Sequence, residues 1–116
     1  MKATFKTAEE HQLVNIKNIC RAIESGNLYF CASNDAKRAQ ALIPTDNGLY
    51  NYTYYFTRFG FCRASRVGNA ICGLGDKPYS NLGRAIYNFW QTAVDEGFYT
   101  PTKQLTAGCD AHIIWI

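Results

Sequence analysis

The stretch NYTYYFTRFGFCRASR, residues 51 to 66, sets Tyr52, Tyr54, Tyr55, Phe56, Phe59 and Phe61 beside Arg58, Arg63 and Arg66. Rings interleaved with guanidinium groups suit two kinds of binding. They can bury flat apolar area at the centre of a protein interface, or stack unpaired bases while the arginines track phosphates. The same residue types also build the inside of an ordinary sheet. Charge singles the stretch out further. Between Asp46 and Asp76 the only charged residues are those three arginines, and the other nine cations balance nine acids, so the whole net charge of +3 is carried there.

Residues with catalytic or metal-binding chemistry are scattered. Cys109 and His112 offer two ligand types, but a closed zinc site needs four and no second pair has suitable spacing, so neither a metal nor a cofactor is expected. The five cysteines, Cys20, Cys31, Cys62, Cys72 and Cys109, include no CxxC pair and read as small buried hydrophobes. A cysteine nucleophile with His11 or His112 as base stays open, because such partners meet only in space. Gly73-Leu74-Gly75-Asp76-Lys77-Pro78 precedes a helix and could cradle an anion, but it has neither Walker spacing nor a strand-GxGxxG-helix context, and a loop with turn glycines is favoured. Glu9 and Glu10 suit a helix start, whereas Asp95 and Glu96 fall near a helix end, against its dipole. No catalytic residues are assigned.

The elements that must position these groups are legible in part. Thr7-Ala8-Glu9-Glu10 reads as a capping box opening a helix whose Leu13, Ile16, Ile19, Cys20 and Ile23 form one apolar stripe and which Gly26 stops. Leu28 to Ala32 reads as a short buried strand, Asp35 to Ile43 as two turns of helix interrupted by Pro44, and Thr45 to Gly48 as a turn. A second amphipathic helix starts at Ser80 or Asn81, buries Leu82, Ile86, Phe89, Trp90, Ala93 and Val94, and ends at Gly97. Ala111 to Ile116 closes the chain as a strand paired inside the sheet.

For the aromatic stretch, alternation predicts a hairpin. Tyr50, Tyr52, Tyr54 and Phe56 share the core face, and a three-residue loop Arg58-Phe59-Gly60 returns the chain with Phe56 opposite Cys62 and Tyr55 opposite Arg63. This register turns Tyr55, Phe61 and Arg63 outward, with Arg58 and Phe59 at the loop tip and Arg66 nearby. The competing expectation is that another element covers this face and makes Tyr55 and Phe61 a second small core.

The order strand, helix, hairpin, helix, strand from residue 27 onward is that of a ferredoxin-like fold. Within it, Arg58-Phe59-Gly60-Phe61-Cys62-Arg63-Ala64 resembles the RNP1 motif of RNA-recognition domains at its aromatic-Gly-aromatic centre, and Leu28-Tyr29-Phe30-Cys31 is faintly similar to RNP2. The resemblance implies base stacking on one sheet face. It departs from the pattern at Phe59, where a glycine is expected, and at Ala64, where the last aromatic belongs.

The sequence thus predicts one α+β domain spanning 1–116, an antiparallel sheet of about four strands under two main amphipathic helices. With no apolar leader and no long apolar run, a cytoplasmic protein without membrane contact is expected. The leading functional expectation is a small non-enzymatic inhibitor or adaptor that docks on a protein through Tyr55, Arg58, Phe59, Phe61, Arg63 and Arg66. Binding of RNA or single-stranded DNA by the same surface is the alternative, and a small enzyme with a cysteine nucleophile comes third. In size and lack of enzyme motifs the chain resembles small accessory proteins of bacteriophages and mobile elements, some of which act on host factors.

Overall fold

The computed structural model describes residues 3–32, 39–61, 78–105 and 113–115. In chain order these form α1 (Glu10–Ser25), β1 (Leu28–Ala32), β2 (Ala39–Thr45), β3 (Gly48–Asn51), α2 (Thr53–Arg58), α3 (Pro78–Asp95) and β4 (Ile113–Trp115). The architecture is α+β. Strands β1, β2 and β3 make an antiparallel meander, and β4 joins the other side of β1 to give the order β3-β2-β1-β4.

Three expectations about this frame need correction. First, the sheet is not wholly antiparallel, because β4 runs parallel to β1 with Leu28 opposite Ile113. A parallel neighbour needs a crossover, here the chain that passes through α2 and α3. Second, residues 39–45 are a strand and not the end of a helix; residues 35–38 of that expected helix lie outside the described residues. Ala41 and Ile43 are buried and alternate with less buried neighbours, a period of two. Pro44 is tolerated because Tyr52 N donates to Ala41 O, and alternation from that bond turns the Pro44 imide toward β1, beyond the last β1–β2 pair, Tyr29 with Leu42. Third, the described elements after residue 27 do not reproduce the ferredoxin-like order, because β2 stands where residues 39–43 of its first helix are expected.

Helix α1 begins two residues later than the Thr7 box implies. Glu9 is its N-cap: the Glu9 side chain accepts from the Gln12 amide, while the Glu9 amide donates to Gln12 Oε1 at 2.9 Å. Thr7 is displaced from that role because Phe5 is fully buried and a turn closes behind it, with Ala8 N donating to Phe5 O at 2.9 Å. Glu96, just past α3, holds this segment down. It accepts from Thr4 Oγ1 and from Phe5 N, each at 2.7 Å, which accounts for a carboxylate at a helix end that the dipole disfavours.

Helices α1, α2 and α3 each end on the same device. Beyond α1, α2 and α3 stand Gly26, Gly60 and Gly97, each with φ between +74° and +81°. The next amide reaches back five residues in each case: Asn27 to Ala22 O, Phe61 to Phe56 O and Phe98 to Ala93 O. These are Schellman caps, which satisfy carbonyls the helix leaves orphaned. The core lies between α1, α3 and one face of the sheet, with Ile16, Ile19, Ile23, Leu28, Phe56, Ile86 and Phe89 essentially inaccessible.

Candidate functional site

The aromatic stretch folds as a strand followed by a helix. Thr45 and Gly48 close a hairpin over Asp46 and Asn47, so the chain does reverse, but one strand earlier than the Gly60 reading placed it. Tyr52, Tyr55, Phe56 and Phe59 are then buried at spacings of three, one and three, the face of a helix. Local polar groups fix its start. The Asn51 side chain accepts from Thr53 N at 2.9 Å, and Thr53 Oγ1 accepts from Ala41 N at 2.9 Å, tying the first turn of α2 to β2. Gly60 does occupy the left-handed region, with φ at +81°, but it stops α2 instead of turning a hairpin.

This fold separates the six expected contact residues. Tyr55 and Phe59, expected outward, are buried at 6% and 8% exposure. The Tyr55 hydroxyl accepts from Asn15 Nδ2 on α1 at 2.5 Å, and its ring stacks on Phe59. Phe61 is half-buried and packs on Phe5 and Phe89 with centroids 5.0 Å away. Phe5 in turn meets Phe59 edge-on at 5.2 Å and Phe89 at 4.8 Å, and Phe56 lies 4.9 Å from Phe89, so five phenylalanines from three parts of the chain form one cluster. Arg58 is exposed in the last turn of α2. Arg63 and Arg66 lie outside the described residues, as do Cys109, His112 and the loop from Gly73 to Lys77.

The exposed aromatic surface is made by different residues. Among the described residues the large exposed hydrophobic side chains are Val14, Leu49, Tyr50 and Tyr54, and the last three fall within six positions. Tyr50 lies on the core face of β3 but beyond the helices' cover, with its ring 4.9 Å from that of buried Tyr52. Tyr54 stands edge-on to buried Tyr55 at 5.5 Å, and its hydroxyl accepts weakly from Gln12 Nε2 at 3.4 Å. Both exposed rings therefore rest on fixed ones. Tyr52 is held between Tyr50, Tyr55 and α1, where its phenol hydrogen-bonds Asn18 while burial raises its pKa. Because Tyr52 N donates to β2, alternation turns the peptide groups of Leu49 and Asn51 to the open side of this edge strand. Arg58 is four residues from Tyr54 and shares its side of α2.

A second polar centre sits on the far side of α1. Glu24 is 6% exposed yet charged, and its oxygens accept from Trp90 Nε1 at 2.8 Å, Tyr99 hydroxyl at 2.7 Å, Thr102 Oγ1 at 2.5 Å and the Thr102 amide at 3.2 Å. Burial alone would raise its pKa, but these hydrogen bonds together hold it below the ordinary carboxylate value. Tyr99 is pushed upward by burial and by the adjacent carboxylate it bonds. Cys20 is also buried, and burial followed by the charge of Glu24 raises its thiol far above the reactive range. Its sulfur is also fully shielded from solvent.

Sequence reasoning assigned both Tyr50 and Tyr54 to the core face, whereas both are about half exposed. The signal was present in the three-four spacing of Tyr52, Tyr55, Phe56 and Phe59, which a period of two obscures when nearly every residue is aromatic. Comparison of the chain with protein-family models, with curated proteins and with solved structures found no match.

Proposed function

We propose that the protein is a non-enzymatic docking module, an inhibitor or adaptor, whose contact surface is the outer edge of β3 with the exposed side of α2. The observation that carries this reading is the half-exposed Tyr50 and Tyr54, with half-exposed Leu49 on the other face of β3, at a strand edge whose outward peptide groups have no strand partner among the described residues. An extended segment of a protein partner can add to such an edge through main-chain hydrogen bonds and take its side-chain specificity from the flanking rings. Tyrosines suit this task because they supply area at low entropic cost, and here buried Tyr52 and Tyr55 already restrict them. Although the edge strand is short, at four residues, Gly48–Asn51 carries no lysine, proline or charged side chain to oppose pairing.

The paired variant Tyr50→Ser with Tyr54→Ser tests the assignment. It removes both exposed rings and leaves the core intact, so a stoichiometric partner bound by the wild type is lost while the circular dichroism spectrum is unchanged. Full retention of that partner by the folded variant refutes the surface.

The second reading is single-strand nucleic-acid binding. Tyr54 and Arg58, one helical turn apart and both exposed, favour it as a ring for stacking with a cation for phosphate. It predicts binding of a single-stranded oligonucleotide that weakens steeply with salt and on Arg58→Ala. No shift at low salt removes it.

A further inference from the structure

Beside the groove that α1 forms with β2 and Tyr52, and sharing Arg21 and Ser25 with it, a cleft of about 590 Å³ opens between the C-terminal half of that helix and the segment following α3. Its size falls in the range of small-ligand sites. Lys17 and Arg21 line it from α1, Phe98, Thr100 and Thr102 from the other bank, and Glu24 forms its floor.

The charges in this cleft are unevenly satisfied. Lys17 and Arg21 are four apart, so their side chains stand over one another on the helix surface, and both are exposed. The described ion pair of the molecule is His11 with Glu9; among the described residues neither Lys17 nor Arg21 has a carboxylate within 4 Å. Arg21 spends one donor on Asn18 Oδ1 at 2.9 Å and keeps the rest of its fork. Glu24, the nearest acid in the helix, is occupied elsewhere: each of its oxygens is already taken up by Trp90, Tyr99 and Thr102.

The same network makes the cleft rigid. Glu24 anchors Tyr99 and Thr102 from below, and Gly97 turns the chain so that Thr100 sits between them at the rim. Thr100 is exposed, and half-buried Phe98 supplies an apolar wall. Two cations over one saturated carboxylate leave a positive balance, beside a wall that can take the flat or aliphatic part of a ligand.

We infer that this cleft is a binding site for a small organic oxyanion, a phosphate or carboxylate compound, held by Lys17 and Arg21 with its body against Phe98. A guanidinium fork and an ammonium separated by one helical turn match an oxyanion that takes two donors from Arg21 and a point charge from Lys17. The site is independent of the β3 edge, and its success or failure leaves the docking reading where it stands.

Nitrogen-edited NMR on the full chain tests it, with phenyl phosphate and benzoate as separate probes. The expected result is saturable shifts at the Arg21, Gly97, Phe98 and Thr100 amides with a Kd in the millimolar range or tighter, for one probe or both; the stronger probe identifies the oxyanion. Lys17→Gln with Arg21→Gln weakens that binding at least tenfold and leaves the remaining spectrum in place, since both side chains are exposed. Arg21→Lys, which keeps the charge but not the fork, recovers part of it. Absence of saturation with both probes overturns the site, and so does unchanged affinity in the double glutamine variant.

Discussion

Replacing Glu24 by Gln changes one oxygen into an amide and little else in shape, which makes it a sharp test of the buried network. Wherever the amide nitrogen is placed, it points N–H groups at neighbours that are themselves donors. If it takes the Oε2 position, Trp90 Nε1, now 2.8 Å from a carboxylate oxygen, faces a donor and is left unsatisfied. An unsatisfied buried donor costs about 1–3 kcal/mol, and the surviving bonds from Tyr99 and Thr102 lose the charge assistance worth about 1 kcal/mol more. The expected loss is about 2–4 kcal/mol at pH 7, read by urea denaturation with an unchanged slope. The pH dependence has a defined sign. The folded-state pKa of Glu24 lies below its unfolded value, so the unfolded chain takes up the proton first. Its contribution is complete above the unfolded value of about 4.3 and is lost as pH falls through the lower folded value. The difference between wild type and Glu24→Gln therefore shrinks in that acid window. A variant within about 0.5 kcal/mol of wild type at pH 7, or a difference independent of pH, refutes the network as a source of stability.

Other expectations separate core from surface. Phe59→Ala empties a place in the phenylalanine cluster and costs about 3–5 kcal/mol, whereas Tyr54→Ala costs less than about 1 kcal/mol; equal losses in chemical denaturation contradict the burial of one and exposure of the other. Gly60→Ala meets no atom within 4 Å but forces a side chain onto a φ of +81°, so it costs about 1–2 kcal/mol through the backbone alone, and a neutral result sinks the Schellman assignment. Glu96→Ala frees Thr4 and Phe5, lowers stability by about 2–3 kcal/mol and exposes the N-terminal segment to protease cleavage at Phe5. Resistance equal to wild type rules that anchor out.

The amphipathic helices were legible because their signals are local. Ile16, Ile19, Cys20 and Ile23 on α1, and Ile86, Phe89, Trp90 and Ala93 on α3, repeat at the helical period, and Gly26 and Gly97 mark the ends. Strand β2 was hidden by its composition. Ala39, Ala41 and Leu42 prefer helix, and only pairing with β1 and β3 makes them extended, a tertiary preference overriding a local one. The aromatic stretch failed for a different reason. In Tyr52-Thr53-Tyr54-Tyr55-Phe56, both a period of two and a period of 3.6 find large apolar residues, so periodicity cannot choose. The choice is made by Asn51 and Thr53, whose side chains cap α2 and replace the next ladder bond of β2. Phe5 gave no signal at all, since its burial depends on an acceptor 91 residues away.

The surface assigned here has a direct test. A photoreactive benzoyl-phenylalanine placed at position 50 or 54, with position 84 on the exposed side of α3 as control, is irradiated in cells that naturally express the protein. One discrete protein adduct is expected from positions 50 and 54, absent at 84 and abolished by Leu49→Asp. No adduct, or the same adduct from all three positions, contradicts a docking surface on the β3 edge.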